Sequence, residues 1–244
     1  MPLKVFNYNI REGGGMRLRG LAAIIRAQQP DVVALLEATS WPRAALLARL
    51  VGMRLTFGRA NNPFHVAWLS RLPLTRSANH RLPTLAKTLL EIEVLWDGAP
   101  LRLFATHLAA GQDTLHPAQE APIILELLRP LGEQPHLLVG DFNALHPGDT
   151  VGPPPWGEEK MHEAIEDDPR QAIRAILADG YVDCYRALHR DTPGYTYPAD
   201  TPWLRLDYIF ASPSLAVRLV ACDVVDGAQA ANVSDHFPLW AEFW

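Results

Sequence analysis

Short apolar runs alternate with helical patterns along most of the chain. The runs expected to form strands are Leu3–Ile10, Val32–Leu36, Met53–Phe57, His65–Ser70, Leu74–Asn79, Thr88–Val94, Leu101–His107, His136–Val139, Tyr181–Tyr185, Tyr195–Tyr197, Leu204–Phe210, Ala216–Val225 and Leu239–Trp244. Helical periodicity indicates helices at Arg17–Gln28, Trp41–Leu50, Thr114–Leu128 and Arg170–Ala178. Strands that interleave with helices and hairpins predict an α/β (α+β) protein with mixed sheets rather than a purely parallel sheet.

The segment from Val139 to Ala144 carries the most informative polar residues. Its sequence is Val-Gly-Asp-Phe-Asn-Ala, and it follows a short apolar run. Because residues two apart on an extended chain point the same way, Asp141 and Asn143 are expected to project together while Phe142 turns into the core. A carboxylate beside a carboxamide can orient and deprotonate one water molecule. The alternative is an ordinary turn, which Gly, Asp and Asn also favour.

Polar residues also end, interrupt or closely precede other apolar runs. They are Asn9, Glu37, His107, Asp207 and the adjacent pair Asp235 and His236. An ionisable group in an apolar strand is costly to bury unless it is paired or bound to a metal. A single residue of this kind is often a structural group whose hydrogen bonds are made within the fold. Several such residues in one chain are better explained by a shared functional site. Because that site needs residues 9 and 236 together, we expect residues 1–244 to form a single catalytic domain.

With these residues in place, the chain resembles the endonuclease/exonuclease/phosphatase superfamily. The motifs that match, in the family's order, are Tyr8-Asn9-Ile10, Leu36-Glu37, Thr106-His107-Leu108, Gly140-Asp141-Phe142-Asn143, Leu206-Asp207-Tyr208-Ile209 and Ser234-Asp235-His236. The resemblance implies a four-layer sandwich: two mixed β-sheets packed face to face, helices on both outer sides, and the site at one rim of the sheets. It also implies that Asp207 pairs with His236, and that His107 clamps the phosphate or protonates the leaving group.

The candidate metal ligands are Glu37, Asn9 and Asp235. All three offer oxygen atoms and none is accompanied by a thiolate, which suits Mg²⁺ or Mn²⁺ better than zinc. Glu37 is the first choice, and a structural ion pair or helix cap is its alternative. Mg²⁺ needs only one or two direct carboxylates, because waters and a substrate phosphate fill its remaining positions.

Phosphoester hydrolysis needs an activated water, neutralised phosphoryl charge and a stabilised leaving oxygen. Asp141 and Asn143 can orient and deprotonate the water, and a charged His236 can hydrogen-bond a phosphoryl oxygen. An aspartate bonded to one imidazole nitrogen favours the charged ring, which is the expected role of Asp207. Whether Asp141 or His236 is the base stays open at this stage.

Three residues are candidates for substrate contact. Arg11 follows the strand that carries Asn9, Arg205 lies two residues before Asp207, and Trp156 lies in a long segment after the Asp-x-Asn motif. An ordinary ion pair is an equal alternative for Arg205. The segment from residue 147 to 168 is rich in proline and then in acids, so it is expected either to form a rim or lid over the site or to be a solvated loop.

Composition narrows the class of protein. The chain has 244 residues, is 48% hydrophobic and has a net charge of −5, which gives no global sign of duplex DNA binding. No apolar run is long enough for a membrane span, and no removable leader is evident before the first strand. Cys184 and Cys222 are expected to be free buried thiols in a cytoplasmic monomer.

The predicted function is divalent-metal-dependent phosphoester hydrolysis, with a phosphodiesterase or nuclease as the first choice. The alternative is a phosphomonoesterase that acts on a small molecule or a lipid headgroup. A catalytically inactive binding member is disfavoured because every motif position holds a competent residue. The substrate is a phosphoester, with nucleic acid as one class.

Overall fold

The structure is a computed structural model that describes residues 1–111, 113–154 and 169–244. Its strands are β1 (Leu3–Asn9), β2 (Val32–Leu36), β3 (Arg54–Gly58), β4 (Val66–Ser70), β5 (Leu74–His80), β6 (Leu89–Trp96), β7 (Ala99–His107), β8 (His136–Asp141), β9 (Val182–Asp183), β10 (Asp207–Ala211), β11 (Leu219–Val224) and β12 (Leu239–Phe243). Its α-helices are α1 (Leu18–Gln28), α2 (Trp41–Val51), α3 (Pro117–Leu128), α4 (Gln171–Ala178), α5 (Cys184–Leu188), α6 (Pro213–Ala216) and α7 (Ala228–Ala231). Short 3-10 turns occupy Glu12–Arg17 and Arg129–Leu131. Trp156 lies outside the described residues, as does most of the 147–168 segment.

The strands form two six-stranded sheets. Sheet 1 has the order β11-β12-β1-β2-β4-β3, and sheet 2 has the order β5-β6-β7-β8-β10-β9. Among the strands of the described residues, β1 with β2 and β7 with β8 pair in parallel, and the other pairs run antiparallel. The predicted mixed sheets are therefore confirmed.

Three apolar clusters separate four layers. The central cluster joins the inner faces of both sheets and includes Val5 and Trp68 from sheet 1 with Leu103 and Val139 from sheet 2. A second cluster packs α1 and α2 on the outer face of sheet 1, and a third packs α3 and α4 on the outer face of sheet 2. Side chains alternate between the two faces of each strand, and both faces are buried in strands such as β2 and β8, while helical periodicity in α1 and α4 supplies apolar faces for the outer layers. The expected four-layer sandwich is confirmed.

The strand topology brings the polar strand ends to one rim. Parallel strands end at the same edge of a sheet, so Asn9 and Leu36, which are register partners, lead to Glu37 on one sheet. On the other sheet His107 and Asp141 are register partners at the ends of β7 and β8. The antiparallel strand β10 begins at this edge, where Asp207 pairs with Asp141.

Gly140 permits the close approach of β7 and β8 at this rim. A Cβ atom on residue 140 would lie 2.0 Å from the carbonyl oxygen of Thr106, which no side chain can do without moving the strands apart. Glycine is therefore required by backbone packing just before Asp141, and not by an unusual backbone angle.

The structure corrects several element boundaries in the C-terminal half. The run expected as a strand from Tyr181 to Tyr185 is a two-residue strand followed by α5, because the Asp183 carboxylate accepts the backbone N–H groups of Tyr185 and Arg186 and caps a helix. Tyr195–Tyr197 contributes only an isolated bridge from Tyr197 to Leu204. The short helices α6 and α7 were not expected from periodicity.

Cys184 and Cys222 are free and buried, as expected. Within the described residues, no helix is both long and apolar enough to cross a membrane.

Candidate active site

Asp141 is the centre of the polar cluster at the rim. Its side chain is almost completely buried, and its Oδ2 lies 3.5 Å from His107 Nε2 and 3.7 Å from His236 Nε2. The Nδ2 group of Asn9 donates a 3.0 Å hydrogen bond to the same oxygen. Burial raises the pKa of Asp141, and the nearby Asp207 carboxylate raises it further, although His236 opposes the shift. The carboxylate is therefore more basic than an exposed aspartate.

His236 is held by a buried aspartate. Its Nδ1 lies 2.8 Å from Asp207 Oδ2, and the carboxylate has no solvent-exposed area. Burial alone would lower the pKa of His236, but the Asp207 and Asp141 carboxylates outweigh it and raise that pKa above its ordinary value. The ring is an imidazolium at neutral pH, and the pairing implied by the resemblance is present.

Asn143 adopts the geometry of an Asx turn with Asp141. Its backbone N–H donates to Asp141 Oδ1 at 3.0 Å, its φ is 45°, and its Nδ2 donates to the carbonyl oxygen of Leu108 at 3.1 Å. Phe142 between them is fully buried, as expected. The turn and the candidate site, which the sequence offered as alternatives, are thus the same structure.

His107 is a neutral member of the cluster. Burial lowers its pKa well below the ordinary value, and the charges of Lys87 and His236 add to that effect. Its Nδ1 is buried without a hydrogen-bond partner in the described part of the chain. A neutral imidazole can donate one hydrogen bond to a carboxylate or a phosphoryl oxygen but carries no charge.

A cavity of about 270 Å³ opens over these residues. Its walls are Glu37, Phe64, Lys87, His107, Ala110, Asp113, Asp141, Asn143, Tyr197, Leu206, Asp235 and His236. The eight residues predicted for catalysis or metal binding lie together. Six of them line this cavity, and a seventh, Asp207, lies behind His236. The eighth, Asn9, bonds to Glu37 and Asp141.

Comparison with known proteins places this geometry in a family. The sequence profile of the Endonuclease/Exonuclease/phosphatase family matches residues 6–236. The chain belongs to this family. Members of the family are divalent-metal-dependent phosphoester hydrolases.

Individual members give the degree of similarity. The exodeoxyribonuclease of Streptococcus pneumoniae is 28% identical over 120 residues, an alignment that covers 45% of this chain and 42% of that protein. The chain therefore matches less than half the length of this curated relative. Two solved structures share the fold over 99% of both chains: an AP endonuclease from Archaeoglobus fulgidus (22% identity, TM-score 0.75) and the 3′ phosphatase NExo from Neisseria bound to a product DNA hairpin (23% identity, TM-score 0.79).

The family's dependence on a divalent cation can be tested against the oxygen donors present. Glu37 faces the same cavity as Asp141 and Asp235, and its Oε1 and Oε2 accept hydrogen bonds from Asn9 Nδ2 and from the backbone N–H of Glu12. Glu37 and Asp235 are partly exposed, so both can take a hydrated cation. A site with one or two carboxylates and no thiolate fits Mg²⁺ or Mn²⁺.

Asn9 has a different position from the one expected of a ligand. Its amide nitrogen bridges the carboxylates of Glu37 and Asp141, and its Oδ1 accepts the backbone N–H of Arg11 at 3.0 Å. In this arrangement Asn9 orients both acids, and its oxygen would have to leave Arg11 before it could bind a cation.

The tightest set of acidic and imidazole groups in the described residues is not the predicted ligand set. It consists of Asp141, Asp207 and His236, whose ligand atoms lie within 4.8 Å of one another. Since Asp207 already accepts a hydrogen bond from His236, this set is a hydrogen-bonded network rather than a vacant cage for a metal.

Two of the predicted substrate contacts have clear positions. Arg11 is exposed at the mouth of the site, with its Nε 3.6 Å from Asp235 Oδ2. The expectation that Arg205 contacts phosphate is wrong, because its side chain is fully buried between Asp149 and Asp183, each at 2.7 Å. The ion pair weighed as its alternative is the arrangement observed.

Three residues of the site were missed by the sequence analysis. Asn7 is fully buried and donates to Asp207 Oδ1 at 3.3 Å and to the carbonyl oxygen of Gly140 at 3.1 Å. The Tyr197 ring lies 4.7 Å from the His236 ring, and the buried Lys87 faces the cavity. Asn7 could have been found, because it is a polar residue two positions before Asn9 in an apolar strand. The other two carry no such signal.

Proposed function

We propose that the protein is a Mg²⁺- or Mn²⁺-dependent phosphodiesterase that acts on nucleic acid. The observation that carries the proposal is the pairing of a buried carboxylate of raised pKa, Asp141, with an imidazolium fixed by Asp207. These are a proton acceptor and a cation within 3.7 Å of each other, which is the combination that water attack on a phosphodiester requires. The exodeoxyribonuclease relative and the DNA-processing structural neighbours support nucleic acid as the substrate class.

Each residue has a role in this proposal. Asp141 takes the proton of the attacking water, which Asn143 helps to orient. His236 donates a hydrogen bond to a phosphoryl oxygen from Nε2, since Asp207 occupies Nδ1. The raised pKa of His236 argues against that ring as the base, because a protonated ring has no lone pair to accept a proton.

Glu37 and Asp235 are the residues that would hold the cation. When bound, the cation would neutralise charge on the phosphoryl group. Asn9 keeps the Glu37 carboxylate in place beside Asp141, His107 donates a hydrogen bond toward the phosphate, and Arg11 contacts the substrate at the mouth. We also propose that residues 1–244 act as a single catalytic unit and a monomer, and the two free buried thiols support a reducing, cytoplasmic location.

A panel of substrates tests the proposal. Plasmid, single-stranded DNA, bis-para-nitrophenyl phosphate and para-nitrophenyl phosphate are each incubated with Mg²⁺, with Mn²⁺ and with EDTA. We expect metal-dependent hydrolysis of the diesters to exceed that of the monoester. Faster turnover of the monoester would assign the protein as a phosphomonoesterase, and hydrolysis that persists in EDTA would contradict the metal requirement.

A further inference from the structure

A second cavity is lined by residues that lie close in sequence to residues of the catalytic cavity. This cavity, of about 340 Å³, is lined by Thr39, Trp41, Phe57, Arg59, His65 and Arg81, among others, and is called the Trp41 groove below. Thr39 is two residues beyond Glu37, and His65 follows Phe64, which lines the catalytic cavity. The carbonyl oxygen of His65 accepts the backbone N–H of Ala38 at 2.8 Å and ties the two walls together.

The Trp41 groove carries uncompensated positive charge. Arg59 and Arg81 are exposed, and neither has a carboxylate partner in the part of the chain that the structure describes. Arg81 Nε donates a 2.9 Å hydrogen bond to Asn61 Oδ1, which is neutral. Two exposed guanidinium groups line one cavity, and the planar donor fork of a guanidinium matches the oxygens of a phosphate, so the groove suits a phosphate.

An aromatic surface lies next to these arginines. Trp41 is 59% exposed at the first position of α2, although tryptophan is usually among the more buried residue types. In the same groove, the Phe57 and His65 rings meet edge to face with their centroids 5.3 Å apart. His65 Nδ1 accepts the backbone N–H of Ala60, and burial, followed by the two arginines, lowers the pKa of His65 and keeps its ring neutral.

We propose that the Trp41 groove binds an unpaired nucleotide of a nucleic-acid strand whose scissile phosphate lies in the catalytic cavity. The indole of Trp41 stacks on a base, and Arg59 and Arg81 pair with the adjoining phosphates, which is how proteins hold single strands. An apolar protein surface would leave both guanidinium groups without a partner. The inference rests on the proposed function, because it takes a phosphodiester chain as the substrate.

The sequence positions of the lining residues place the two cavities close together. Glu37 of the catalytic cavity and Trp41 of the groove are four residues apart, so their Cα atoms are separated by at most roughly 14 Å. A strand whose scissile phosphate lies in the catalytic cavity can therefore reach the groove within a few nucleotides, and the base that contacts Trp41 must be unstacked from one neighbour to expose a face.

Binding in the absence of catalysis tests the groove directly. The intact protein of residues 1–244 is titrated into a fluorescein-labelled ten-nucleotide oligothymidine in EDTA, and fluorescence anisotropy is recorded at several salt concentrations. We expect Trp41→Ala to weaken binding by about 5- to 150-fold, the range found for loss of one stacked base. Arg59→Gln and Arg81→Gln should each reduce the slope of log affinity against log salt by about 0.7, the value for one phosphate contact on a single strand.

Arg54→Gln is the matched control, since Arg54 is an exposed arginine at the opposite end of β3 from Arg59 and does not line the groove. It should leave the slope unchanged. An equal slope change in the Arg54 variant, or unchanged affinity in Trp41→Ala, would overturn the inference. Linear polyphosphate has no bases, so Trp41→Ala should leave its affinity unchanged. If this substitution weakens polyphosphate binding as much as oligothymidine binding, or more, the inference is also overturned.

Hydrolysis of bis-para-nitrophenyl phosphate separates this inference from the proposed function. The substrate is too short to span both cavities, so the groove variants should hydrolyse it at the wild-type rate. If the wild-type protein hydrolyses no diester, the proposed function is refuted. A negative result in the binding measurement refutes only the role of the groove in nucleotide binding. If the Trp41 and arginine variants lose this small-substrate activity as strongly as they lose oligothymidine binding, the substitutions disturb the catalytic cavity. That result would contradict the assignment of the groove as a separate nucleotide site.

Discussion

Replacing Asp207 by Asn tests whether the charge of His236 depends on its buried partner. The substitution keeps the shape of the side chain and removes its negative charge. In the native protein the Asp207 and Asp141 carboxylates outweigh the burial that would otherwise lower the pKa of His236. Without the Asp207 charge, burial should dominate, and the pKa of His236 should fall toward or below its ordinary value of about 6.5. The ring would then be largely neutral at pH 8.

The size of the effect follows from the lost charge. Loss of one preorganised charge or donor in a transition state costs about 10²–10³ in rate. The 2.8 Å contact to His236 is a hydrogen bond between charged groups, a kind worth about 1.5–3 kcal/mol of stability. At about 2–4 °C per kcal/mol for a domain of this size, the melting temperature should fall by roughly 3–12 °C.

The assay measures initial rates of bis-para-nitrophenyl phosphate hydrolysis from pH 5.5 to 9. At each pH, the rate of the variant is divided by the rate of the wild type. The ratio should rise toward low pH, where the His236 ring regains its proton. Asp183→Asn is the matched control, because Asp183 is an equally buried aspartate that pairs with Arg205 away from the cavity. It should lower stability and leave the ratio independent of pH. A constant ratio for Asp207→Asn would refute the argument that Asp207 acts through the charge of His236.

Further predictions concern the cation, the coupling of the catalytic groups, stability and the segment after the Asp-x-Asn motif. Glu37→Ala should abolish metal-stimulated hydrolysis while circular dichroism stays native; full activity in this variant would exclude Glu37 as a ligand. Asp141→Asn and His236→Ala should each lower the rate by about 10²–10⁴, and the double variant should lose far less than the product of the two. Fully multiplicative losses would mean that the groups act independently. In the metal-free protein, the raised pKa of His236 contributes folding stability that is fully present below about pH 6.5, the pKa of the unfolded chain. This stability is lost as the pH rises toward the pKa of His236 in the folded protein. The melting temperature should therefore fall between pH 6.5 and 9. His236→Gln should flatten that profile, and an unchanged slope would contradict it. Replacing residues 150–166 by a Gly-Ser linker should preserve turnover of a minimal diester and shift the preference among duplex, single-stranded and small substrates; identical relative rates would exclude a role in selectivity.

Much of the site could be predicted from the sequence because its residues stand out against apolar strands. Glu37, Asp141, Asp207 and His236 are ionisable groups at or close to the ends of apolar strands, where burial is costly without a partner. That reasoning needs only local pattern. Parallel pairing of β1 with β2 and of β7 with β8 then brings those strand ends to one rim.

Other features depend on contacts that no local pattern encodes. Arg205 lies two residues from Asp207, yet its guanidinium is directed into a buried pair of aspartates that are distant in sequence. Tyr197 reaches His236 only through the packing of a loop. The helix at Cys184–Leu188 replaced an expected strand because one aspartate side chain caps it. In each case a tertiary contact or a cap overrode the local preference.

The position of β12 has a consequence for synthesis of the protein. β12 follows the other described strands in the sequence, and it lies between β11 and β1, which precedes them all. While the ribosome is still adding residues beyond β10, one edge of β1 has no partner and is open to pairing with other chains. His236 is added just before β12, so the nascent chain lacks its cationic ring until the sheet can close. The candidate active site therefore receives its last charged ring just before the strand that covers the open edge of β1 is made.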